Sequence, residues 1–198
     1  WAVLALVVVA QFMVILDVAI VNVALPVIGT DLGFSQQSLQ WVITAYAIVF
    51  GGALLLGGRL ADLLGRRRIF LSGIALFTAS SLLSGLAWSE GSLIAFRALQ
   101  GLGGALLAPA GLSILMTTFR EGRDRNRALG IWGAASGSGA AVGVLLGGLL
   151  TSYLNWSWIF FINVPVGVAA IWATRWLLEA TPGNFLGRRH FDVAGAAS

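Results

Sequence analysis

The sequence predicts an all-α membrane protein, a bundle of six transmembrane helices, and three observations point there. Hydrophobic residues make up 58% of the 198 residues and charged residues only 10%, whereas soluble domains carry roughly 25% charged residues. Six apolar runs each reach the ~20 residues that an α-helix needs to cross a bilayer. Between those runs the 12 basic residues, all of them arginine, gather at every second turn.

Each span is defined by what interrupts it. The first runs from about Ala2 to Ile28 and ends in a polar loop with Asp31, Ser35 and Ser38. It is too long for a signal peptide and lacks the basic start and small-residue cleavage site, so it reads as a mature helix. The second covers about Leu39 to Ala61. It gives way to the segment from Gly57 to Arg68, where Arg59, Asp62, Arg66, Arg67 and Arg68 crowd together in a knot that hydrocarbon cannot hold. The third covers about Ile69 to Trp88, and the turn Ser89-Glu90-Gly91 is short enough to make the third and fourth spans antiparallel neighbours. The fourth runs from about Ser92 to Phe119 and is followed by a basic loop, Arg120 to Arg127. The fifth covers about Ala128 to Leu150 and the sixth about Trp158 to Leu178. Residues 1–180 thus form the bundle, and 181–198 a polar, arginine-bearing tail.

The arginines orient the bundle. All but Arg97 lie at the end of, or after, the second, fourth or sixth span, while the opposite loops carry Asp31 and Glu90 and no basic residue. The positive-inside rule therefore places both chain ends in the cytoplasm, in a multi-pass protein of the cell's inner (plasma) membrane. Trp88, Trp156 and Trp158 fall near the outer helix ends, where interfacial indoles gather. The net charge of +4 is accordingly a topological signal, and no nucleic-acid partner is expected. Without cysteine there are no disulfides, thiolate metal sites or cysteine nucleophiles, and the single His190 argues against a histidine-based metal site.

Polar residues inside the spans carry the chemistry. Asp17 lies near the middle of the first span, where an ionised carboxylate costs about 2.5–3.5 kcal/mol on insertion scales. It therefore faces water, holds a proton or has a partner, and a carboxyl group alternating between such conditions is a proton carrier. A structural carboxylate bonded to a neighbouring helix is the plainer alternative. Arg97 and Gln100 share one face of the fourth span, close enough to the level of Asp17 for attraction; snorkelling of Arg97 to the outer interface is the competing reading. Asp17 and Pro26 have the same spacing as Gln100 and Pro109, and Gly29 and Gly111 follow, as inverted three-helix repeats would produce. On the fifth span Gly139, Gly143 and Gly147 recur every fourth residue with Gly148 beside them, a face on which another helix can approach closely. Gly101, Gly103 and Gly104 are likewise packing residues, since no P-loop pattern accompanies them.

These motifs resemble the major facilitator superfamily, and within it the drug/proton antiporters with fourteen helices. Gly58, Asp62, Gly65, Arg66 and Arg67 match the family's loop motif between the second and third helices; Leu63 stands where a basic residue is common. The stretch from Leu16 to Pro26 is similar to the helix-one signature, and Arg97-Ala98-Leu99-Gln100-Gly101 to the helix-four motif, whose arginine is assigned to proton coupling. The glycines Gly139, Gly143, Gly147 and Gly148 resemble the antiporter motif, with Val144 in place of its proline. The stretch from Trp156 to Gly167 resembles the helix-six signature, with Ser157 in place of an arginine. Phe191 to Gly195 resembles the lead into a seventh helix.

The resemblance implies the N-terminal half of a transporter, a 3+3 inverted repeat whose C-terminal half is a missing partner. It implies proton-coupled export of small lipophilic or cationic compounds, powered by the proton gradient with no cofactor, and in contact with membrane lipids. Asp17 and Arg97 would couple protons, Asn22 and Gln100 would line the substrate cavity, and Asp62 with its neighbouring arginines would gate the cytoplasmic side. An importer or metabolite exporter of the same superfamily is the first alternative. A membrane interaction or regulatory protein without transport is the second, although it has no need of Asp17. No GxSxG, HExxH or paired-aspartate arrangement within the spans suggests an enzyme.

Overall fold

In a computed structural model, residues 1–178 are described. The expected tail, with Arg188, Arg189 and the segment from Phe191 to Gly195, lies outside them. Among the described residues the chain forms eight helical segments: α1 (Ala2–Leu32), α2 (Gln36–Leu39), α3 (Trp41–Leu64), α4 (Arg66–Gly85), α5 (Glu90–Thr118), α6 (Arg123–Tyr153), α7 (Trp158–Phe161) and α8 (Asn163–Leu177). Six spans result, because α2 leads directly into α3 and α7 into α8.

Local chemistry sets the ends, and it moves several expected boundaries. The first span continues through Asp31 to Leu32, so Asp31 is helical and not in a loop. It stops at Gly33, whose φ of 70° takes the chain into the left-handed region while Phe34 N–H bonds the Gly29 carbonyl at 3.0 Å, a Schellman-type termination. Between α3 and α4 the chain turns on Gly65 alone, at φ 97°, a conformation that a side chain would strain. At the start of α5, Ser89 and Ser92 form a reciprocal capping box. The expected loop 120–127 is shorter than its charge suggested, because α6 already begins at Arg123. Arg125 there donates to the carbonyls of Phe119 and Met116, both at 3.0 Å, and so satisfies acceptors left free at the end of α5.

Two interlocking pairs build the bundle: α1 packs on α6, and α5 packs on α3. Exchanging the first three spans for the last three turns one pair into the other, as an inverted repeat requires. Glycine permits both contacts. A Cβ at Gly143 would lie 2.8 Å from Ala19 Cβ and 2.9 Å from the Leu16 carbonyl oxygen, and one at Gly147 would lie 2.9 Å from Val23 Cβ. At Gly101 it would meet the Tyr46 carbonyl oxygen at 2.5 Å, and at Gly103 the Phe77 nitrogen at 2.6 Å. Gly103 joins α5 to α4, the antiparallel neighbours expected from their short turn. Gly139 belongs to the α1–α6 seam, 3.3 Å from the Phe12 carbonyl oxygen. Gly148 does not: nothing lies within 4 Å of its Cβ position, because one further residue turns it about 100° off the seam. Among the expected interfacial indoles, Trp88 and Trp158 are exposed, but Trp156 is buried and donates its N–H to Asp31 Oδ2 at 2.6 Å.

Candidate functional site

Asp17 and Arg97 form a buried ion pair, Nη1 to Oδ2 at 2.6 Å, with side-chain exposures of 0% and 1%. Neither faces open water. The snorkelling alternative for Arg97 is thereby overturned, since pairing with a buried carboxylate outweighs a path to the interface. Gln100 bridges the pair: its Oε1 accepts from Arg97 Nη1 at 2.6 Å, and its Nε2 donates to Asp17 Oδ1 at 2.8 Å. Asn163 Nδ2 donates to the same Oδ1 at 3.0 Å, and also to Ser81 Oγ at 3.1 Å. Ser81 Oγ in turn donates to the Phe160 carbonyl at 3.0 Å. The carboxylate thus receives three donors, which offsets much of its desolvation.

The guanidinium is equally well surrounded. Arg97 Nε donates to the Val42 carbonyl at 3.3 Å. Its central carbon lies 4.4 Å from the centroid of the Tyr46 ring and 5.8 Å from that of Phe160, within cation–π range. Asn163, where α7 passes into α8, reaches the carboxylate through its side-chain amide. Five of the six spans contribute a group. Asp17 and Gln100, which hold matching positions in the sequence spacing of the two halves, bond to each other directly.

A cavity of about 250 Å³ opens between α1 and α3, lined by Val14, Val18, Ile43, Tyr46, Phe50 and Arg97. Tyr46 and Phe50 stack within its wall, centroids 5.8 Å apart. Gln100, expected at a substrate cavity, is buried here with both ends of its amide engaged in the network and is not among the residues lining this cavity. Asn22 is exposed, and its Nδ2 donates to Val18 O at 2.7 Å on its own helix. The Tyr46 hydroxyl is buried with no hydrogen-bond partner. Tyr46→Phe should therefore leave thermal stability in detergent within about 0.5 kcal/mol, while Tyr46→Ala, which removes the ring beneath the guanidinium, should cost about 2 kcal/mol or more.

The arginine-rich turn stands apart from this network, and it is not a loop: Gly58 and Asp62 belong to α3 and Arg66 and Arg67 to α4, with Gly65 alone between the two helices. Asp62 is exposed and makes no ion pair among the described residues. Arg67 Nη2 donates to the Arg175 carbonyl at 3.2 Å. A Cβ at Gly58 would meet only Pro109 Cβ, at 3.8 Å. Among the described residues no three His, Cys, Asp or Glu side chains are grouped to hold a metal. Asn163 lies within the signature from Trp156 to Gly167, where only its being an amide in an apolar span, two residues before Pro165, sets it apart; nothing in the sequence marks Ser81 or Tyr46 as a site residue.

An all-α bundle of six membrane-spanning helices, arranged as inverted repeats about a buried midspan ion pair, defines a fold of the secondary-transporter type. The chain belongs to the Major Facilitator Superfamily, which residues 7–193 match. It is 52% identical over 177 residues to a puromycin resistance protein of Streptomyces alboniger, covering 89% of this chain and 35% of that protein. It is 46% identical to a cephamycin export protein of Amycolatopsis lactamdurans, covering 94% and 38%. With a tetracenomycin C resistance and export protein of Streptomyces glaucescens the identity is 40%, over 98% and 36%. The chain therefore spans just over a third of the length of these relatives. A crystal structure of a peptide transporter superposes with a TM-score of 0.77 at 19% identity, over 87% of this chain and 37% of that one, a likeness of fold alone.

Proposed function

We propose that this chain is the N-terminal six-helix half of a proton-coupled exporter of small amphipathic compounds, working by alternating access. Residues 1–180 are its bundle, both ends face the cytoplasm, and the membrane is the cell's inner membrane. The observation that carries the reading is the sealed Asp17–Arg97 pair, held by donors from several helices. A proton arriving on Asp17 cancels the charge that anchors the guanidinium, so the protonation state biases how the spans pack. The 250 Å³ cavity reaches Arg97 past Tyr46 and Phe50, and an aromatic wall suits lipophilic or cationic compounds. The names of the relatives, resistance to or export of antibiotics, support export over import. In this reading exposed Asp62, with Arg66 and Arg67, would meet the C-terminal half and close the cytoplasmic side.

The test is Asp17→Asn in the full-length protein, followed by dye efflux in inverted membrane vesicles energised with a proton gradient. Efflux should fall to background while the protein still inserts. Proton-driven efflux at the unsubstituted rate would refute the assignment, and efflux driven only by a sodium gradient would replace the proton with another ion.

A further inference from the structure

Two cavities of opposite chemistry meet at Leu177, on the arginine-bearing side of the bundle. One, of about 380 Å³, lies among the ends of α1, α4, α5 and α8 and is lined by Val3, Arg66, Arg67, Thr117 and Thr118 as well as Leu177. The other, of about 520 Å³, is a groove between α1 and α8 that includes Ala2, Ala5, Val9, Ala169 and Ala173. Its volume falls in the ~300–1,000 Å³ range of ligand clefts. Alanines on both helices keep it open where leucines would close it. No side chain of the Asp17 network lines either cavity.

We propose that these two cavities together hold one anionic phospholipid, with its phosphate at Arg66 and Arg67 and an acyl chain along the α1–α8 groove. Three observations select this occupant. Arg66 and Arg67 pair with no carboxylate among the described residues. α4 begins at Arg66, so the first-turn amides and the positive dipole end add to the same field. The basic cavity stands at the level of the cytoplasmic headgroups, where anionic lipids concentrate, and the apolar groove leads from it into hydrocarbon. A free anion would use only the first cavity and a neutral amphiphile only the second; an anionic phospholipid uses both. The inference depends on the membrane topology and shares Arg66 and Arg67 with the proposed cytoplasmic gate, so the lipid phosphate holds them in the state in which they do not meet the C-terminal half; it needs neither proton coupling nor export.

Full-length protein purified in detergent is titrated separately with phosphatidylglycerol, phosphatidylcholine and glycerol phosphate, reading bound lipid by native mass spectrometry and the thermal midpoint. Phosphatidylglycerol is expected to stay bound at about one per protein and raise the midpoint, and the other two to do neither. Arg66→Gln with Arg67→Gln should weaken its retention by about tenfold or more. Ala169→Leu, at an exposed position in the groove, should displace it with both arginines intact, which guards against misfolding of the arginine variant. Equal retention of phosphatidylcholine, an equal effect of glycerol phosphate, or full retention by either variant overturns the proposal.

Discussion

Arg97→Leu is expected to destabilise the bundle by about 3–5 kcal/mol, read as thermal or denaturant unfolding in detergent. That is the usual cost of removing one partner from a buried ion pair and leaving the other uncompensated. Asp17 would keep Gln100 and Asn163 as donors, but two neutral amides do not replace a guanidinium at 2.6 Å. The double variant Asp17→Asn, Arg97→Leu should recover a substantial part of the loss, because it removes both buried charges and leaves amides that can bond to one another. A double variant as unstable as the sum of the two single ones would mean that the pair contributes nothing beyond its separate side chains. The cycle tests the structure of the site independently of transport.

Gly143→Val should cost about 1–3 kcal/mol, by overpacking the contact between α1 and α6. The new Cβ would meet the Ala19 Cβ at 2.8 Å and the Leu16 carbonyl oxygen at 2.9 Å, and backbone cannot swing aside as a flexible side chain can. Leu16 and Ala19 flank Asp17, so the displaced helix is the one that carries the carboxylate. Gly148→Ala is the control. Its Cβ meets nothing within 4 Å, and alanine favours a helix over glycine by up to about 1 kcal/mol. Its thermal midpoint should be unchanged or raised, and a fall as large as that of Gly143→Val would show that the two glycines share a seam after all.

How far each feature was legible depended on whether its cause is local. Charge in the sequence sets the ends of the first and fifth spans at Ile28 and Ala128, but the helices run to Leu32 and from Arg123, because Asp31 and Arg125 find partners far along the chain or at the end of another helix. Gly148 looked like its neighbours in spacing, yet helical rotation alone sets it off the seam. Gln100 was correctly paired with Arg97 by face, but its burial depended on Asp17 of a different span. Asn163 and Ser81 could not be connected to Asp17 by any periodicity, because they reach it from two further helices.

The sequence by itself determined the number of spans, the side that carries the arginines, the intramembrane Asp17 and Arg97, and the glycine faces. These are properties of a segment and its solvent: apolar length, the desolvation cost of charge and the pitch of a helix act before any helix meets another. Only the tertiary structure decided that the carboxylate and guanidinium are sealed together, that Gln100 and Asn163 complete the network, and that two unlike cavities join at Leu177. Such facts arise where several helices bring single groups to one point, and hydrogen-bond geometry over a few ångströms is invisible to any pattern along one chain.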